Sequence, residues 1–164
     1  MRAPLLIAAA AALLPIGAAP LATASAESAT AMPAPVHLRS VPLTIATAHG
    51  VRRFRVEVAR SDDEQERGLM FRKVVPHGTG MIFPMAPPRP AGFWMKNTLV
   101  PLDMLFIRAD GTIARIAANT VPLSLDTVES GEPVAAVLEI AGGAAAAQGI
   151  AEGDRVHWAG GARG

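Results

Sequence analysis

The chain has 164 residues, 51% of them apolar, with no cysteine and with 15 Lys and Arg against 14 Asp and Glu. Without cysteine there is no disulfide, no thiol nucleophile and no lipid-modified N-terminal cysteine, so the folded part must be held by its core. The near-even charge balance argues against a nucleic-acid surface, which carries a basic excess.

Residues 1–26 read as a secretory signal peptide. Arg2 leads the apolar run Leu5 to Leu14, Pro15, Gly17 and Pro20 break it, and Ala22-Thr23-Ala24 and Ala24-Ser25-Ala26 offer cleavage sites. The run before Pro15 is about half of the roughly 20 residues a span needs, so the expectation is cleavage, no stable membrane span, and a periplasmic or secreted product. Cleavage would remove Arg2 and leave 14 basic against 14 acidic residues. Residues 27–40, rich in Ala, Ser and Pro, read as a disordered tether. Residues 41–158 read as a single β-rich domain, and the Gly-rich residues 159–164 as a flexible tail.

Along the domain, Phe54, Val56 and Val58 alternate with Arg53, Arg55 and Glu57, the pattern of a half-buried strand. Pro42 to Ala48 is its hairpin partner across His49-Gly50. The cluster Arg52, Arg53, Arg55 and Arg60 reads, with Glu57, as a solvated strand face. Ser61-Asp62-Asp63-Glu64 is a capping box that opens a short helix ending near Arg67 or Gly68. Gly80 to Met85 is a short strand, and the prolines between Pro84 and Pro90 mark an exposed loop or a sheet edge. Phe93 to Thr98 and Leu102 to Arg108 follow as strands. The second is apolar on both faces apart from Asp103, which makes it central and covered on both sides. Asp110-Gly111 turns the chain into Thr112 to Ala117. Pro133 leads into a strand over Val134 to Ile140, Gly142 to Gln148 suits a short alanine helix, and Gly153-Asp154 turns into Arg155 to Trp158. Short strands with turns at close spacing predict a mainly β domain, a compact antiparallel sandwich or barrel closed by one or two short helices.

Several segments occur in a recognisable order: Glu66-Arg67-Gly68-Leu69-Met70-Phe71-Arg72, Gly80-Met81-Ile82-Phe83, Phe93-Trp94-Met95-Lys96-Asn97-Thr98, Pro101-Leu102-Asp103, Asp110-Gly111, Leu138-Glu139 and Gly153-Asp154. Together, from about Leu43 to Trp158, they resemble the bacterial and archaeal family catalogued as domain of unknown function 192, and the FWMKNT run followed by PLD is the specific part. The resemblance implies a compact β-rich domain of jelly-roll-like architecture and an exported protein. It implies no activity and therefore no catalytic residue.

The stretch Phe93 to Ile107 sets a tryptophan, a lysine, an asparagine and an aspartate inside an apolar segment. An unpaired buried charge costs several kcal/mol, so Lys96 and Asp103 must be solvated, paired or used. In an extended strand Trp94, Lys96 and Thr98 share one face, and Phe93, Met95 and Asn97 the other. The structural reading is that Asp103 pairs with Arg67 or Lys96 and ties helix to sheet. The functional reading is a pocket in which Trp94 stacks on a small polar ligand, Lys96, Asn97 and Asp103 fix its polar groups, and Arg67 and Glu139 support them. Arg67 has a bland alternative in Asp63, four residues earlier on the helix.

The leading expectation is thus a non-catalytic periplasmic binding module, with a carbohydrate or cell-envelope fragment as the ligand class and with no metal or cofactor. One alternative is a hydrolase that uses Asp103 and Glu139 as a carboxylate pair. Another is a structural or partner-binding envelope protein that presents the loop from Met85 to Pro90 to a protein partner. Met70, Met81, Met85, Met95 and Met104 read as core filler rather than as a Cu(I) site, since no tight Met-x-Met spacing occurs. His37, His49, His77 and His157 are scattered and form no zinc motif.

Overall fold

The computed structural model describes residues 34–161; the signal peptide read in the sequence, the first part of the tether and the last three residues of the tail lie outside them. The elements run β1 (Ser40–Thr47), β2 (Gly50–Val58), α1 (Asp62–Arg67), β3 (Thr79–Arg89), β4 (Gly92–Phe93), β5 (Leu102–Ile107), β6 (Ile113–Ala117), β7 (Val128–Glu129), β8 (Val134–Ala141), α2 (Ala144–Ala147) and β9 (Arg155–Trp158). Seven strands form one sheet in the order β6-β5-β8-β3-β2-β1-β9, and β4 pairs with β7 apart from it.

The fold is mainly β, as the strand pattern predicts. Its pairings are antiparallel except between β2 and β3. A parallel pair needs a long crossover, and the segment that carries α1 supplies it. The two outer edges of the sheet meet. Thr112 bridges to Arg155, the Ile113 N–H donates to the Asp154 carbonyl at 2.8 Å, and the Val156 N–H donates to the Gly111 carbonyl at 2.8 Å. The sheet therefore curls toward a barrel and leaves little free edge.

Both faces of the central strands are buried. The inner face packs Ile45, Val56, Ile82, Leu105, Leu138 and Ile140 around the axis of the curl. The outer face of β3, β8 and β5 packs Met81, Phe83, Leu102, Met104, Phe106 and Val137 beneath Leu69, Val75 and Met95 from the connecting segments. All six residues of β5 are buried, in agreement with a run that is apolar on both faces apart from Asp103. Gly80 sits where strands crowd. A Cβ there would lie 2.2 Å from the Glu139 carbonyl oxygen, so only glycine fits.

Helix α1 begins as the capping box predicts. The Glu64 N–H donates to Ser61 Oγ at 3.2 Å, and the Glu64 carboxylate accepts the Ser61 N–H at 3.0 Å and the Arg60 N–H at 2.7 Å. Gly68 ends the helix at φ 46°, facing the Phe83 ring.

Two stretches differ from the sequence reading. Beyond Ile82, β3 has no partner on its β2 side and continues as far as Arg89. The prolines sit along this free side, where a missing N–H costs no ladder bond. The expected strand Phe93 to Thr98 is extended only at Gly92–Phe93. It then turns, with the Thr98 N–H donating to the Met95 carbonyl at 3.0 Å and with Asn97 at φ 55°. Asparagine tolerates this left-handed backbone better than most residues. The face assignment that put Trp94, Lys96 and Thr98 together falls with the strand.

Asp103 is the main polar tie of the inner face. It is fully buried, with Oδ1 accepting the N–H groups of Asn119 (2.8 Å) and Gly143 (2.9 Å) and Oδ2 accepting that of Ala145 (2.8 Å). These bonds dock the start of the four-alanine helix α2, whose own N-cap residue offers no side chain. The expectation that Asp103 pairs with Arg67 or Lys96 is corrected, because backbone amides satisfy it. Charged hydrogen bonds contribute about 1.5–3 kcal/mol each, and three would be orphaned together. Asp103→Ala should therefore lower the unfolding free energy by about 3–5 kcal/mol. Urea denaturation measures this, and a loss under about 1 kcal/mol would show that water replaces the carboxylate.

Candidate functional site

The outer face of the sheet is not fully covered. Between the turn of α1 (Gln65 to Met70), the end of β3 (Met85, Arg89) and the segment Pro90 to Trp94 lies a cleft of about 320 Å³. Glu139 on β8 forms part of its floor. A second groove of about 300 Å³ shares Glu66, Arg67 and Met70 with it and adds Asp63, Phe71, Lys96 and Asn97. The helix end and the Phe93–Thr98 turn thus line two adjoining hollows.

Glu139 is the most unusual residue here. It is 5% exposed and lies directly opposite Met81 on one neighbouring strand and Met104 on the other. Directly opposed residues share a sheet face, so two thioether side chains flank the carboxyl. Burial alone pushes this carboxyl up to about 8, with no hydrogen bond or ion pair among the described residues to lower it. At neutral pH it holds its proton and presents both an O–H donor and an acceptor to the cleft.

Asp103 does not join it. Asp103 lies opposite Ile140 on β8, whereas Glu139 lies opposite Met104 on β5. Side chains alternate along a strand, so the two carboxyl groups point to opposite faces of the sheet. The carboxylate pair expected for a hydrolase does not form, and Asp103 leaves the group of site residues.

The other sequence candidates divide between the two hollows. Trp94 stands at the rim of the main cleft, 43% exposed, with the Lys96 ammonium 4.8 Å above its ring. Lys96 and Asn97 line the adjoining groove instead. Asn97 is a positioning residue. Its carbonyl accepts the Phe71 N–H at 2.8 Å, and its Nδ2 lies 3.7 Å from Met70 Sδ, which ties the two walls together. Arg67 faces both hollows. It lies 5.5 Å over the Phe71 ring and donates to the Ala34 carbonyl, while its buried Nε has no partner among the described residues. The ion pairs among the described residues do not join Arg67 to Asp63.

Arg72 and Glu57 turn out to be structural. Arg72 grips Glu57 through two bonds of 2.7 and 2.8 Å, and Glu57 is 9% exposed rather than on a solvated face with Arg53 and Arg55. Burial pushes the Glu57 carboxyl up, but the Arg72 guanidinium, the Leu38 N–H and His37 together hold it below its ordinary value. Met81, Met85, Met95 and Met104 pack as core on this outer face, and Met70 and Met85 line the cleft. Glu66 and Arg89 also line the cleft, although neither stood out in the sequence. Glu66 is one of several acids on a short helix, and Arg89 follows prolines. Among the described residues no three His, Cys, Asp or Glu side chains converge as a metal site, and no helix is long and apolar enough to cross a membrane.

Comparison with known proteins places the family and the fold. The family model for DUF192, described as "Uncharacterized ACR", matches residues 44–158. A crystal structure of a protein of unknown function from Novosphingobium aromaticivorans DSM 12444 is 46% identical, with a TM-score of 0.73, over 79% of this chain and 94% of that one. Another, from Sinorhizobium meliloti 1021 and described provisionally as a transcription regulator, is 41% identical, with a TM-score of 0.72, over 75% of this chain and 96% of that one. No curated protein matches the chain.

The Glu139 carboxyl makes a pH prediction. Its folded value is above its unfolded one, so the folded state binds the extra proton. The stability this contributes is complete below about pH 4.5 and is lost as pH rises to about 8. Glu139→Gln keeps the shape without a titrating group. Denaturation midpoints at pH 5 and pH 8 should fall for the parent chain and differ much less for the variant. Equal pH slopes in both proteins would refute the assignment.

Proposed function

This chain belongs to the family of domain of unknown function 192, and for it we propose a non-catalytic binding module that holds a small polar ligand in the Glu139 cleft. The observation that carries this reading is the Glu139 carboxyl itself, buried at the floor of an open cleft with no partner among the described residues. The carboxyl lines the cleft with a donor and an acceptor free, and a ligand that accepts its proton and donates to its other oxygen uses both.

The walls suit such a ligand. Trp94 offers a ring face at the rim, and Arg67 and Arg89 line the cleft with two cations. Phe83, Met85 and Phe93 supply the apolar surface that fixes an orientation. A sugar or cell-envelope fragment has both the C–H face for Trp94 and the hydroxyls for Glu139. Lys96 holds the Trp94 ring from above, and Asn97 braces the wall. The signal-peptide reading of residues 1–26 favours a periplasmic or secreted setting. The regulator description of the Sinorhizobium relative is not adopted, because 15 basic against 14 acidic residues give no excess for a duplex.

A thermal-shift screen of sugars, peptidoglycan fragments and small carboxylates tests the reading. A ligand at 100-fold its dissociation constant adds about 2.7 kcal/mol of stability, visible as a clear rise in Tm. The rise should shrink in Trp94→Ala and in Glu139→Gln. A panel with no response, or a response that both variants keep in full, would remove the proposal.

A further inference from the structure

Helix α1 forms one wall of the Glu139 cleft, yet none of its six residues is buried. Its place is therefore set by ties to other segments rather than by a core-facing stripe. Gln65 and Glu66 line the cleft, and Gln65 donates to the Ala59 and Pro84 carbonyls at 3.3 and 3.1 Å. Asp63, Glu64 and Arg67 lie on the opposite face of the helix at helical spacing. Against that face runs the irregular segment before β1, residues 34–38.

The domain grips this segment by its main chain. Arg67 donates to the Ala34 carbonyl, Arg72 donates to the Val36 carbonyl at 2.5 Å, and the Leu38 N–H donates to the Glu57 carboxylate at 2.5 Å. Ties at every second residue suit an extended backbone, whose polar groups at i, i+2 and i+4 point to one edge. Val36 and Leu38 line a hollow of about 170 Å³ together with Asp63, Glu64, Arg67 and Gly68. Arg67 and Gly68 also line the cleft, so the end of α1 stands between the two. Met81 lines the hollow as well, and it lies directly opposite Glu139. The grip is slight beside that on a core strand. It is three main-chain bonds and two apolar side chains, of which Val36 is 44% exposed. Contacts of this kind open locally while the core stays folded.

We propose that residues 34–38 are a strap that controls access to the Glu139 cleft by holding α1 in place. Drawing the strap away takes the Ala34 carbonyl from Arg67 and uncovers the Glu57–Arg72 pair. The helix is then held by its Gln65 bonds and by the turn after Gly68, and the wall it forms swings more freely. The cleft reading above supplies what is admitted, and the strap contacts supply the gate. The strap leads directly into β1, so tension on the chain before it reaches the cleft wall without passing through the sheet.

The two buried acids of the central strands make a test that needs no ligand. A water-soluble carbodiimide with an amine labels carboxyl groups that it can reach, and mass spectrometry of peptides locates the label. The full chain would be labelled at about pH 6, where Glu139 holds its proton. Glu139 reports the cleft, and Asp103, buried on the other face of the sheet, reports opening of the whole fold. The double variant Val36→Asp, Leu38→Asp sets two carboxylates beside Asp63 and Glu64 and should unseat the strap. Labelling of Glu139 should then rise by about tenfold, with Asp103 unchanged. Should Asp103 gain label too, Leu38→Ala, which keeps the main-chain ties, takes its place and should show a smaller rise confined to Glu139. Unchanged labelling of Glu139 in the variant that keeps Asp103 protected would overturn the proposal, as would a rise at both acids in Leu38→Ala. A thermal-shift panel with no response would remove the ligand reading and leave this result to stand on its own.

Discussion

Burial of the central strands on both faces is the constraint from which the rest of this structure follows. β5 and β8 have an apolar core beneath them and another above, so any polar side chain they carry must be resolved in place. Each carries one acid, and the strand register sends the two to opposite faces. On the inner face the Asp103 carboxyl is satisfied by three backbone amides. On the outer face Glu139 has no hydrogen-bond or ion-pair partner among the described residues, and burial raises its carboxyl to about 8. Two solutions to one desolvation problem sit one register step apart, and only the second leaves hydrogen-bonding capacity to spare.

The difference lies in what covers each face. The curl of the sheet and α2 close the inner core, and Asp103 is part of that closure. The outer core is closed by connecting segments, namely the end of α1 with its turn and the Trp94 turn with the loop it holds. Connections pack less completely than elements, and the cleft is the gap they leave over Glu139. Their internal ties keep the gap a fixed shape. Asn97 joins the turn to Phe71, Gln65 joins α1 to the Ala59 and Pro84 carbonyls, and the Ser130 hydroxyl accepts the Ala91 N–H.

Much of the scaffold was legible because its signals are local. The Ser61–Glu64 capping box, the Asp110-Gly111 turn and the two-sided apolar run of β5 each depend on neighbours within a few residues. The misreadings share the opposite character. Asp103 finds its partners in backbone amides from two distant loops, and no sequence pattern marks a backbone donor. Glu57 has the alternation of a solvent face, yet Arg72 arrives from beyond α1 and Leu38, in the segment before β1, seals it. Phe93 to Thr98 reads as a strand because nothing in it announces a turn except Asn97, whose left-handed tolerance is weak evidence alone. Of the six predicted site residues, Trp94, Arg67 and Glu139 meet at one cleft, Lys96 and Asn97 flank it, and Asp103 serves the other face.

Arg67 links the remaining parts. It closes α1, lies over Phe71, lines both hollows and bonds the Ala34 carbonyl. Arg72, five residues on, grips Val36 and Glu57 together. The segment before β1 is therefore laid across the helix that forms one wall of the cleft, and the same guanidinium touches both. Moving that segment would move the guanidinium that lines both hollows, so the approach to the domain from its N-terminal side and the shape of the cleft are one mechanical problem.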